Sequence, residues 1–217
     1  MMGDFRANGL AERFRGLWTR NLTLVDSMDA AEVYGELKRL YSQPLRCYHD
    51  MSHLTTCLYE FDQVAGLIQM PDAVELALWF HDAIYLPGAM DNELQSAKLF
   101  SKCGQIAFAP EFVEKICRLI LITMHKSPPQ DYDESYIVDI DLASFGAEWS
   151  IFLQDSQNVR KEQLHLPDSV YYLSHAKFLK ILLDRHQIFH TDFFRSRYEE
   201  SARRNIERLL ATSFYSG

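Results

Sequence analysis

An imidazole and a carboxylate stand side by side at His81-Asp82, inside the apolar run Leu78-Trp79-Phe80-His81-Asp82-Ala83-Ile84-Tyr85. Both groups are costly to bury unless they pair or a metal takes them. Three other places put metal-type ligands among apolar residues. His49 and His53 are four apart in Arg46-Cys47-Tyr48-His49-Asp50-Met51-Ser52-His53, a spacing that puts both on one face of a helix. His125 follows an isoleucine- and leucine-rich run, and Asp139 and Asp141 flank Ile140. Imidazole nitrogen with carboxylate oxygen suits Mn, Fe, Zn, Mg or Co better than a thiolate-seeking metal.

The elements that must carry these groups read as helices throughout, so the expected fold class is all-α. A first helix runs from Phe5 to Trp18, with Leu10, Phe14, Leu17 and Trp18 on one stripe. Ser27 is the N-cap expected for a second, whose Val33, Leu37, Leu40 and Tyr41 share a face. A third runs from near His49 to about Leu67. A fourth opens at Pro71, is apolar nearly all round and should be buried centrally, with His81-Asp82 on it. Asn92-Glu93 opens a fifth that Gly104 closes, and Pro110 a sixth that ends at His125. Ile137-Val138-Asp139-Ile140 could be a strand by composition, but a helical turn is the preferred reading. Helices over about 147–164, 168–185 and 191–215 complete the chain.

Size and composition fit one domain over 1–217, with the motif core at about 45–146 and C-terminal helices at about 147–215. At 47% hydrophobic residues the chain can bury a sizeable core. A net charge of -8 argues against a nucleic-acid polymer as partner, since a basic footprint would be its sign. No apolar run approaches the roughly 20 residues of a membrane span. Met1 to Arg6 lacks the apolar core of a signal peptide, so a cytoplasmic setting is expected. Cys47, Cys57, Cys103 and Cys117 form no C-x-x-C pair and read as ordinary buried thiols in a reducing compartment.

Taken together, these motifs resemble the HD-domain superfamily, in its branch of predicted metal-dependent phosphohydrolases. The resemblance is carried by Arg46-x-Tyr48-His49-x-x-x-His53, Trp79-Phe80-His81-Asp82-Ala83-x-Tyr85, Asn92-Glu93-x-x-Ser96-Ala97 and Asp139-x-Asp141-Leu142-x-x-x-Gly146. It covers roughly 30 to 210. It implies a single HD-type helical bundle with His53, His81, Asp82 and Asp141 as ligands of a divalent metal. It also implies hydrolysis of a small-molecule phosphate ester, such as a nucleotide. Asp82, Asp139 or His49 would orient water or transfer a proton, and Arg46, His125, Asn92 and Glu93 are the candidates to face substrate. One departure is Arg160-Lys161-Glu162-Gln163, where relatives carry Arg-x-Glu-Tyr.

Two other readings stand beside this one. His49-Asp50-Met51-Ser52-His53 is one residue type away from H-E-x-x-H, the helical zinc-hydrolase motif. A metal-containing module that binds a ligand or regulates a partner, without catalysis, would keep the same residues. The oligomeric state stays open, a homo-oligomer included.

Overall fold

A computed structural model describes residues 2–23 and 29–212, with side chains from residue 9 onward. Among the described residues the chain is all-helical, with ten α-helices and two 3₁₀ turns. Its contacts gather into two compact units, each built from two stretches of chain: residues 1–43 with 68–128, and residues 44–67 with 129–217.

The first unit contains α1 (Met2–Arg20), α2 (Ala30–Tyr41), α4 (Pro71–Phe80), α5 (Asn92–Gly104) and α6 (Pro110–Ile122). Ser27 lies outside the described residues. The N-cap seen is Asp29, whose side chain accepts from the Ala31 amide. α4 packs against α1, α5 and α6, and every residue from Ala73 to Phe80 is buried. That central placement explains why it is apolar all round. Of its two acids, Asp72 in the first turn pairs with Arg20 at 2.6 Å and the buried Glu75 with Arg13 at 2.7 Å. Phe14, Trp18, Trp79, Phe80, Phe100 and Phe108 form a connected aromatic core. Helix α5 continues through Gly104 with Gln105 as its cap. The glycine serves packing there, because a Cβ would meet the Phe100 ring at 3.2 Å.

The second unit contains α3 (Met51–Val64), a 3₁₀ turn (Ala65–Leu67), α7 (Tyr132–Leu142), a second 3₁₀ turn (Ala143–Gly146), α8 (Trp149–Glu162), α9 (Asp168–Asp184) and α10 (Asp192–Leu210). Residues 137–142 are more than the single helical turn expected; they are the second half of α7, which Asp131 caps by accepting from the Glu134 amide. Helix α3 packs on α7, and α10 packs on the second 3₁₀ turn. Asn205 of α10 braces that turn by donating to the carbonyls of Phe145 and Ala147.

Candidate functional site

The start of α3 differs from the expectation in a way that matters chemically. His49 is not on the helix. Asp50 is the N-cap, accepting from the Ser52 and His53 amides, so the helix opens at Met51. His49 belongs to the corner that precedes it. Its Nδ1 lies 2.6 Å from Glu162 Oε2, and a carboxylate can only accept, so the imidazole donates there. Glu162 Oε1 accepts from the backbone amides of Cys47, Tyr48 and His49. Burial alone would raise the Glu162 carboxyl, but the bond and charge of His49 and the amides of Tyr48 and His49 outweigh it, holding it at about 2. Arg46, itself buried, donates to the His49 carbonyl at 2.8 Å. The four-apart spacing of His49 and His53 therefore does not make the helical pair that an H-E-x-x-H reading needs.

His53 remains on α3 and faces α7. Its Nε2 lies 3.3 Å from Asp141 Oδ1 and 3.6 Å from Cys57 Sγ. One donor atom from each of His53, Cys57 and Asp141 lies within 4.8 Å of the others, so the three can hold a metal ion. Cys57 was not singled out by sequence, although its place one turn after His53 on the same face was a usable signal. It is the free, buried thiol expected, and its sulfur is in addition placed to join the imidazole and the carboxylate as a metal donor. With it the donor set becomes nitrogen, sulfur and oxygen, which suits Zn, Co or Fe better than Mg or Mn. Among the described residues the cysteines form no disulfide; Cys57 and Cys103 are buried, whereas Cys47 and Cys117 are only partly so.

Asp139, a candidate to orient water, is committed elsewhere. It is wholly buried, and its two oxygens accept from the His190 amide and from the amide and hydroxyl of Thr191. Burial pushes its carboxyl up to about 6, with those three donors opposing. It fixes the corner where α10 begins, and its two oxygens are occupied there by three donors.

In the first unit α4 ends at Phe80, so His81 and Asp82 stand at and just beyond the helix end rather than within it. His81 is the C-cap, with its amide bonded to the Ala77 carbonyl. Its Nδ1 donates to the Leu78 carbonyl at 2.8 Å, which leaves the Nε2 of a neutral ring with a lone pair. That nitrogen lies 3.1 Å from Asp82 Oδ2. Two electron pairs so close require a proton or a cation between or beside them. Both groups are buried, and the Nδ1 bond to a carbonyl is the support that metal-ligating histidines use.

The substrate-facing candidates of this unit divide. Asn92 accepts from the Leu86 amide and donates to the Leu86 carbonyl, pinning the 86–92 loop. The helix cap is Asp91, and Glu93 lies in the first turn of α5. His125 falls beyond α6, which stops at Ile122, and adopts φ 54°. A non-glycine residue in the left-handed region is uncommon and strained.

A cavity of about 210 Å³ adjoins His53 in the second unit, lined also by Ser52, Thr56, Ser144, Asp155 and Asn158. Burial raises the Asp155 carboxyl, with the His53 charge opposing. Comparison of the chain with protein-family models, with curated proteins and with solved structures finds no match.

Proposed function

We propose that the protein is a metal-dependent phosphohydrolase acting on a small phosphate ester, with His53, His81, Asp82 and Asp141 as metal ligands. The observation that carries the reading is the recurrence of one device. At His53–Asp141 and again at His81–Asp82, a buried imidazole nitrogen stands within 3.3 Å of a carboxylate oxygen. A divalent cation would relieve such a juxtaposition and, when bound, would acidify water and offset charge on a phosphoryl group. The chain supplies the rest. Glu162 holds the proton of His49 on Nδ1 and fixes the ring's orientation, which prepares His49 to transfer a proton. Arg46 secures the backbone of the same corner.

The test is elemental analysis of untreated protein, followed by a screen of phosphomonoesters and diesters with Mn, Mg, Fe, Co and Zn. His81→Ala, Asp82→Ala, His53→Ala and Asp141→Ala should each cut both metal content and hydrolysis, the latter by about 100-fold or more. Full activity in His81→Ala or Asp82→Ala sinks the proposal.

Cys57 favours a second reading, a metal-containing binding module without catalysis. A thiol 1% exposed beside a histidine and a carboxylate is a donor set that zinc accepts, and coordination closed by protein groups would make such an ion structural. Stoichiometric zinc that survives chelation, with no phosphoester hydrolysed, distinguishes it.

A further inference from the structure

The cavity beside His53 has a lining that discriminates among small ligands. Its volume of about 210 Å³ lies below the roughly 300–1,000 Å³ of pockets that enclose a drug-sized molecule. It therefore accepts one compact group and not a whole nucleotide. Among the described residues no lysine or arginine lines it, while Asp50 and Asp155 both do. The start of α3, which would otherwise draw an anion, already has its Ser52 and His53 amides taken by Asp50. Away from His53, where a metal ion would supply positive charge, a phosphate is thus the wrong occupant.

The remaining polar groups offer both hydrogen-bonding senses. Asp155 accepts only. Thr56 donates its hydroxyl hydrogen to the Ser52 carbonyl, so toward a ligand it accepts. The carbonyl oxygen of the Asn158 side chain takes hydrogens from Gln154 and Lys161, so its NH₂ is the group that gives. Ser144 and Tyr48 share a hydrogen at 2.9 Å and retain lone pairs. An ammonium ion gives hydrogens but cannot accept one from Asn158. A hydroxyl does both, and neighbouring hydroxyls do so at the spacing of a carboxylate's two oxygens.

We propose that this cavity binds the vicinal hydroxyls of a small sugar, with Asp155 as the principal acceptor and Asn158 as a donor. As the organic part of a substrate, the sugar rests on the phosphohydrolase reading. As a binding site it does not.

Saturation-transfer NMR on the full chain tests it with three probes: D-ribose, ethanolamine and inorganic phosphate. The wild-type protein should give a ribose signal stronger than that of either other probe. Asp155→Asn and Asn158→Leu should each weaken ribose binding by about tenfold or more, as expected for losing a hydrogen bond to a charged or buried partner. Circular dichroism and melting establish that each variant is folded, and Asp155→Ser replaces Asp155→Asn should that one unfold. No ribose signal from the wild type, a stronger ethanolamine or phosphate signal, or ribose binding undiminished in both folded variants overturns the proposal. The phosphoester screen fails or succeeds separately. Ribose bound without any hydrolysis keeps the sugar site and removes the phosphohydrolase, whereas hydrolysis with no ribose signal does the reverse.

Discussion

Glu162 accepts four hydrogens, from three successive amides and from His49. Its loss would leave those donors without their acceptor at the corner that leads into α3. Glu162→Ala should therefore destabilise the protein by about 3–5 kcal/mol at neutral pH, read from urea denaturation. The pH dependence has a definite sign. The folded carboxyl titrates at about 2 against an ordinary 4.5, so its stabilisation is complete above pH 4.5 and disappears as pH falls toward 2. Across that window the wild type should lose about 3 kcal/mol that Glu162→Gln does not lose. Identical acid limbs for the two proteins would show that Glu162 does not hold its charge in this way.

Asp139 shows at the scale of an element how a buried acid organises chain ends. It joins the second half of α7 to the first turn of α10, whose N-cap Thr191 also accepts from the Phe194 amide. Asp139→Ala strands two amides and a hydroxyl in the interior, and should cost about 3 kcal/mol or more with metal content unchanged. A loss of metal in the folded variant would instead place Asp139 among the ligands. Gly146 makes the complementary argument from space. A Cβ there would fall 2.5 Å from Tyr198 Cβ on α10, against backbone-near atoms that cannot swing away. Gly146→Ala should destabilise by about 1–3 kcal/mol, as overpacking does, and thermal melting would register it. An unchanged melting temperature would mean that α10 shifts without cost.

For the whole molecule, metal binding and folding should be linked. If the folded state binds a cation that the unfolded chain does not, a concentration near 100 times the dissociation constant stabilises by about 2.7 kcal/mol. For a chain of this length that corresponds to a rise in melting temperature of about 5–10 °C. Chelator should reverse it, and Cys57→Ser should weaken the response to zinc more than that to manganese. No shift with any of Mn, Mg, Fe, Co or Zn would count against a metal in either reading. Among the described residues no helix is long and apolar enough to cross a membrane.

What the sequence determined by itself is the helical class and the positions of most helices, because the 3.6-residue stripe and the Pro71 and Pro110 starts are local signals. The length of α7 escaped it, since its residues are buried on nearly every side and a helix without an exposed face has no stripe to read. The chemistry-bearing groups His49, His53, His81, Asp82, Asp139 and Asp141 were also legible, but preferring His53 over His49 and Asp141 over Asp139 came from the family resemblance and not from the residues alone. Tertiary structure alone decided their company. Only the fold sets His53 beside Asp141, 88 positions along the chain, and only the fold takes His49 away to Glu162, 113 positions distant. Periodicity places a residue on a face of its own helix. It carries no information about which distant side chain that face will meet, because that choice is made by packing.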